Sequence, residues 1–357
     1  MTIAIILGTR PEIIKMSPVI RLCEQQHLDY FILHSGQHYS YEMDKVFFRD
    51  LNLPDPKYNL EVGSGHQGET TAKMITGVEK ILYQEKPDVI LVEGDTNTVL
   101  AGALAAVKMG IKIGHVEAGL RSFDRSMPEE INRIITDHCS DYLFAPTDIA
   151  KKNLLTEGIP EETIYVCGNT VVDAVYQNLK ISKTHRNLLD LIKLRKKQYI
   201  ILTAHRQENV DVKEKLKGIF DGAREIIREF SLPILFPVHP RTRQKIAEFG
   251  LSVPRGLQLI EPLGYLDFLQ LEESAKFVMT DSGGLQEECC ILHVPCITLR
   301  QNTERPETVN VGANMLVGCN PHQIIEGAKI VTKKKPVWMN PFGDGRTSEY
   351  IINMLGV

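Results

Sequence analysis

The chain reads as an α/β protein of two doubly wound, Rossmann-like domains facing across a cleft, and three observations predict this. It has 357 residues, more than one hydrophobic core usually organises. Its short β-branched runs are continuously apolar, as parallel strands covered on both faces must be. Amphipathic stretches of helical length separate those runs, and the rhythm occurs twice along the chain.

The first half carries apolar runs at residues 2–7, 29–34, 88–93, 112–116, 141–145 and 163–166. Helical patterns lie between them at 14–26, 69–85, 98–108, 129–139 and 149–157. In the second half the strands are expected at 199–203, 233–238, 257–260, 276–280 and 294–299. Its helices are expected at 212–229, 266–274, 285–292 and 321–332. A boundary fits at 168–170, ahead of a polar, basic helix over 171–197. The expectation is a first domain at 1–169 and a second at 170–340. Asn340-Pro-Phe-Gly-Asp-Gly345 is turn-rich, and a last helix at 346–355 would return to complete the first domain over about 341–357.

Composition excludes several functions. Hydrophobic residues make up 43% and charged residues 24%, ordinary for a globular chain. The net charge is −4, from 41 Lys and Arg against 45 Asp and Glu, with no basic tract, so a nucleic-acid partner is not expected. Seven Cys without any C-x-x-C argue for reduced thiols in a cytoplasmic protein, not a disulfide framework or a zinc site. No His and carboxylate set has metal-ligand spacing, so no metal is expected. Residues 2–7 are too short for a signal peptide, and no apolar run approaches a membrane span.

Ligands of doubly wound sheets bind beyond the carboxyl ends of the strands, so the residues after each run carry the information. Gly8-Thr-Arg-Pro-Glu12 follows the first, and Arg10 and Lys15 bracket a helix start suited to an anion. Gly94-Asp95-Thr96 follows the third; Asp95 is either a helix cap or a functional acid. His115-Val-Glu-Ala-Gly-Leu-Arg121 follows the fourth, and Glu117 ends a buried strand, where a charge must be paired or used. Pro128-Glu-Glu130 opens a helix whose dipole favours acids in any case. In the second half, His205 follows the first strand and His239 the next. Thr280-Asp-Ser-Gly-Gly284 then makes a strand, a turn and a helix start at Ser282, Gly283 and Gly284 that can hold a phosphate. Glu287 and Glu288 would suit ribose hydroxyls, and Arg305 adds a cation near the same edge.

Taken in order, these motifs identify a resemblance. Together with Gly36-Gln-His38, Gly168-Asn-Thr170, Pro237-Val-His239, Thr303-Glu-Arg-Pro-Glu307 and Asn340-Pro-Phe-Gly-Asp-Gly345, the chain resembles the non-hydrolysing UDP-N-acetylglucosamine 2-epimerases from end to end. The resemblance implies a glycosyltransferase-B-type fold and a homodimer. It also implies interconversion of UDP-N-acetylglucosamine and UDP-N-acetylmannosamine without a cofactor. The family's catalytic acids fall on Asp95, Glu117 and Glu129, and its histidine on His205. Its UDP contacts fall on Arg10, Lys15, Phe268, Ser282, Gly284, Glu288 and Arg305, and one falls on Leu263, where bacterial relatives carry Gln. The segment Gln37-His-Tyr-Ser-Tyr-Glu-Met-Asp44 departs from the Gln-His-Arg-x-Met-Leu-Asp type that binds a second UDP-sugar as activator in many bacterial members. It is similar to the segment of relatives that epimerise a UDP-diacetamido-uronic acid.

The reaction so implied eliminates UDP to a 2-acetamidoglucal and adds it back to the other C2 face. It asks for charge stabilisation at the departing diphosphate, carboxyl groups serving two faces of C2, and exclusion of water. The alternatives are an epimerase for a related UDP-diacetamido-uronic acid, a glycosyltransferase of the same fold, and a nucleotide-sugar-binding module without catalysis.

Overall fold

In the computed structural model, residues 1–36, 41–185, 188–333 and 335–356 are described. They form two compact units. The first comprises Met1–Gln177 with Phe342–Val357, and the second comprises Asn178–Pro341. The chain passes between them within helix Thr170–His185 and again after Pro341.

The first unit holds a seven-stranded parallel sheet. Its strands are β1 (Ile3–Leu7), β2 (Tyr30–His34), β3 (Tyr58–Asn59), β4 (Val89–Glu93), β5 (Lys112–Val116), β6 (Tyr142–Ala145) and β7 (Ile164–Val166). They lie in the order β3-β2-β1-β4-β5-β6-β7, so the winding reverses between β1 and β4. Every residue of β1 and β4 is buried, which explains why these segments read as unbroken apolar runs. The Ala-rich helix Asn97–Met109 packs between Gln67–Glu85 and Pro128–Cys139. Gly102 lets it approach the sheet: a Cβ there would stand 3.1 Å from Val92 Cγ1.

Helix Arg10–Gln25 contains Pro18, which has no N–H for the Ile14 carbonyl. Ser17 Oγ donates to that carbonyl instead, at 2.8 Å. The C-terminal helix Thr347–Leu355 packs on Arg10–Gln25. Buried Asp173 accepts from the Thr347 N–H at 3.2 Å, the Ser348 N–H at 2.9 Å and Ser348 Oγ at 2.6 Å, fixing its start.

The second unit holds a six-stranded parallel sheet. Its strands are β8 (Ile200–Thr203), β9 (Ile234–Pro237), β10 (Leu257–Ile260), β11 (Val278–Thr280), β12 (Cys296–Thr298) and β13 (Asn314–Leu316). The order is β10-β9-β8-β11-β12-β13, with the reversal between β8 and β11. Helices Lys213–Phe230 and Pro321–Lys333 cover one face, and Tyr265–Ser274 and Gly283–Ile291 are among the others.

The expected fold class, two doubly wound parallel α/β sheets of glycosyltransferase-B type, holds. Three local differences stand out. The single helix expected over 171–197 is instead Thr170–His185 and the short Leu188–Leu191. Leu188 and Leu189 are buried in the second core, and Lys193 and Lys197 adopt left-handed φ values of 55° and 61° that no α-helix continues through. Strand β3 has two residues, and β13 has three that open on Asn314 between Gly312 and Gly318, so neither makes an apolar run. Helices Tyr41–Asp50 and Pro240–Glu248 are also absent from the expected set. Among the described residues no helix is long and apolar enough to cross a membrane.

Candidate active site

In the first unit, the polar groups collect where β1, β4 and β5 end, beside the winding reversal. Glu12 opens helix Arg10–Gln25 and is 2% exposed. Its carboxylate accepts from the N–H groups of Gly8 and Thr9 and from Thr96 Oγ1, tying the loop after β1 to the loop after β4. Burial outweighs those bonds and pushes Glu12 up to about 7.

One helical turn on, Lys15 donates to Glu117, and its Nζ lies 3.1 Å from Glu93 Oε1. Glu93 is the last residue of β4, and both carboxyls are buried. Burial drives Glu93 well above the usual carboxylate range; Lys15 pulls it down, and Glu117 and Glu12 push it further up. Asn169 Nδ2 donates to Glu117 at 3.0 Å. Glu117 itself stands at φ +69°, in the left-handed region that costs a side-chain-bearing residue about 1–2 kcal/mol. Gly119 follows at φ +83°, where a Cβ would stand 2.5 Å from the Ala150 carbonyl oxygen, so this turn admits no other residue without movement.

Asp95 pairs with Arg133, whose guanidinium also grips Glu130 at 2.7 Å. Burial opposes the Glu130 charge, but the Ser122 N–H, Arg133 and the Phe123 N–H hold it below the usual range. Glu130 is thus a structural clamp, while its neighbour Glu129 stands exposed in the first turn of Pro128–Cys139. His115 is buried on β5, with Nδ1 2.6 Å from Asp137 Oδ1 and Nε2 2.8 Å from the Gly94 carbonyl. Asp137 also takes Arg121 at 2.7 Å. This buried network braces the turn that carries Asp95.

The second unit presents a different chemistry. Asp281 follows β11 and is fully buried. Its carboxylate accepts from the His205 N–H at 3.0 Å, the Arg206 N–H at 3.0 Å and Asn209 Nδ2 at 3.2 Å, and lies 3.0 Å from His205 Nδ1. Burial would raise Asp281, but His205 and those donors hold it below the usual range. The His205 side chain is 47% exposed, leaving the far side of the ring open to a ligand. His239 lies with its ring 6.5 Å from that of His205 and caps helix Pro240–Glu248. Burial, His205 and Arg241 lower its basicity.

Ser282 is the N-cap of helix Gly283–Ile291. A Cβ at Gly284 would meet no described atom within 4 Å, so the space over this helix start is open. Arg305 binds buried Glu287 at 2.8 Å, and Arg300 binds Glu304 through both nitrogens at 2.9 and 2.8 Å. Buried Glu288 lies beside Glu272 and Tyr265, and raises both. Phe268 and Leu263 pack half-buried against the same core.

The structure therefore gathers Lys15 and Glu117 into one cluster and places Asp95 on the adjoining loop. Arg10 starts the same helix as Lys15 and lies over the Phe47 ring at 5.7 Å. Ser282, Gly283, Gly284, Glu288 and Arg305 share one edge of the other unit with His205. Gln37 and His38 lie outside the described residues. Reading the sequence alone misses Glu12, Glu93 and Asp281 as members of these clusters. For Glu93 a signal exists, since an acid closing a wholly apolar strand needs a partner. Among the described residues no group of His, Cys, Asp and Glu is arranged to hold a metal ion.

Comparison with known proteins gives consistent matches. The family model described as UDP-N-acetylglucosamine 2-epimerase matches residues 21–356. The UDP-N-acetylglucosamine 2-epimerase of Methanocaldococcus jannaschii is 57% identical, over 99% of each chain. Its crystal structure in complex with UDP-GlcNAc and UDP superposes with TM-score 0.90, over 100% of this chain and 99% of that one. The UDP-GlcNAc 2-epimerase of Neisseria meningitidis, bound to UDP-GlcNAc, is 34% identical with TM-score 0.90, over 99% of each chain. A UDP-2,3-diacetamido-2,3-dideoxy-D-glucuronate 2-epimerase from Pseudomonas aeruginosa is 41% identical over 92% of each chain. A glycosyltransferase from Rickettsia africae, 14% identical at TM-score 0.59, shares the fold alone.

Proposed function

We propose that this chain, which belongs to the UDP-N-acetylglucosamine 2-epimerase family, interconverts UDP-N-acetylglucosamine and UDP-N-acetylmannosamine. The relative acting on the diacetamido-uronic acid is the more distant one, at 41% against 57% identity, so UDP-N-acetylglucosamine is the favoured substrate.

The observation that carries the mechanism is the unlike state of two acids at adjoining strand ends. Glu117 is buried against Lys15, and Asp95 is part-exposed against Arg133. Glu117, paired with an ammonium, serves as the base that takes the C2 proton. The C1–O bond breaks, its electron pair leaves on the β-phosphate oxygen of UDP, and C1 and C2 join as the double bond of 2-acetamidoglucal. The Ser282 helix start, Arg305 and Arg10 stabilise the departing diphosphate, and His205, aimed by Asp281, supplies a further donor to it. A proton delivered to the opposite face of C2, by Asp95 or Glu129, and return of the diphosphate oxygen to C1 complete the inversion. Glu288 holds the ribose and Phe268 the uracil. The enzyme works as a cytoplasmic homodimer and needs no cofactor for this balance.

The test is proton NMR of the protein with UDP-GlcNAc in D₂O. A growing UDP-ManNAc anomeric signal, with deuterium entering C2 of both sugars, supports the proposal. An unchanged UDP-GlcNAc that keeps its C2 proton contradicts it.

A further inference from the structure

Glu93 is more than the end of a strand. Val89–Val92 need only be apolar, yet the position that follows is an acid, 2% exposed, with Oε1 3.1 Å from Lys15 Nζ. The same Nζ donates to Glu117. One ammonium therefore faces two buried carboxyl groups, and Glu12, on the helix that carries Lys15, adds a third nearby. Among the described residues, two nearby titratable groups have partners of their own. Asp95 lies on Arg133, and His115, from the adjacent strand β5, lies between Asp137 and the Gly94 carbonyl. Across from Glu93 in the sheet stands Val116, which offers no charge. Two buried carboxyl groups held on the same ammonium favour a proton on one of them. Asn169 Nδ2 donates to Glu117, stabilising charge there. Burial and its acidic neighbours raise Glu93, so the proton belongs on Glu93.

We propose that Glu93 is a positioning residue: as an uncharged acid it seats the Lys15 ammonium on Glu117, leaving Glu117 as the charged member of the pair and ready to act at C2. This rests on Glu117 being the base of the proposed reaction. Its consequence is that the neutral side chain, not the carboxylate, is the working form of Glu93. Glutamine has that shape and an oxygen for Lys15, whereas leucine has neither.

The test compares wild type, Glu93→Gln and Glu93→Leu in two ways. The first is the pH profile of kcat/KM for epimerisation. Near neutral pH, Glu93→Gln is expected within about threefold of wild type, while Glu93→Leu loses about tenfold or more, chiefly in kcat. On the alkaline side, wild type declines as Glu93 ionises and competes for Lys15, and Glu93→Gln lacks that component. The second is the infrared difference spectrum between wild type and Glu93→Gln without substrate, where a protonated-carboxyl C=O band is expected in wild type only. Glu93→Gln as damaging as Glu93→Leu, superimposable pH profiles, or no such band would overturn the proposal. The infrared band needs no turnover, so a protein that epimerises nothing would sink the reaction while the proton on Glu93 is still read. Should Glu93→Leu not fold, Glu93→Gln decides through its pH profile and the band.

Discussion

The two polar edges solve the problem of buried charge in opposite ways. In the first unit, Glu93 and Glu117 share Lys15 with Glu12 near Glu93, and burial lifts Glu12 and Glu93 toward their neutral forms. In the second, Asp281 is just as buried but receives N–H groups from His205, Arg206 and Asn209, which keep it charged. Burial alone therefore does not set protonation, and neither does the number of donors, since Glu12 accepts three hydrogen bonds and is still raised; what sets Asp281 apart is the His205 ring beside it. On the proposed reading, the first edge holds and moves protons, and the second keeps a fixed negative charge behind a histidine and receives an anion in front of it.

The largest effect is expected from removing the charge that the first edge preserves. Glu117→Gln should lower epimerisation by about 10³-fold with UDP affinity unchanged, read by NMR turnover and titration calorimetry. A comparable loss of UDP binding would mean the two edges do not divide the work. Next is Asp281→Asn, which leaves His205 without its carboxylate; turnover should fall by about 10²-fold. Because Asp281 also accepts backbone N–H groups, unfolding free energy should drop by about 1–3 kcal/mol, measured in urea. Gly284→Ala should weaken UDP binding about tenfold with Tm unchanged, since the added Cβ meets open space in the protein but would meet a phosphate over the helix start.

The smallest effect is a contrast in pH dependence. Glu12 is raised to about 7, so its contribution to stability is fully present below its ordinary 4.5 and is lost as the pH rises through about 7. Glu304 runs the other way. Burial opposes its charge, but Arg300 overcomes that and brings it down to about 2. Its contribution is present above 4.5 and is lost as the pH falls toward about 2. Glu12→Gln should therefore flatten the stability curve between pH 4.5 and 7, and Glu304→Gln the limb below 4.5, both followed by urea midpoints against pH. Identical curves for both variants would erase the contrast.

Much of the fold is legible in the sequence because parallel strands buried on both faces leave an unmistakable apolar run, as in Ile3–Leu7 and Val89–Glu93. Strands β3 and β13 are not legible. One has two residues and the other opens on Asn314, so neither makes an apolar run, and only pairing with β2 and β12 makes them strands. The shortfall of the helix expected over 171–197 is hidden for a related reason: the pattern is helical, but Lys193 and Lys197 adopt left-handed φ values that end it. For the candidate site, position after a strand is enough to single out Asp95, Glu117, His205 and Ser282. The partners of these residues come from elsewhere in the chain, 102 residues away for Lys15 on Glu117 and 52 for Asn169, and no local spacing reveals them. Glu93 and Asp281 escape notice because an acid at a strand end looks the same in sequence whether it is a bystander, a proton store or a fixed charge.

The most direct test of the central claim is positional isotope exchange with UDP-GlcNAc carrying ¹⁸O in the sugar–phosphate bridge. If UDP is eliminated and added back, the label must spread from the bridge to the non-bridging oxygens of the β-phosphate while UDP-ManNAc forms. Epimerisation with the label confined to the bridge would mean that C1–O never breaks, and Ser282, Arg305 and His205 would then have no departing diphosphate to stabilise.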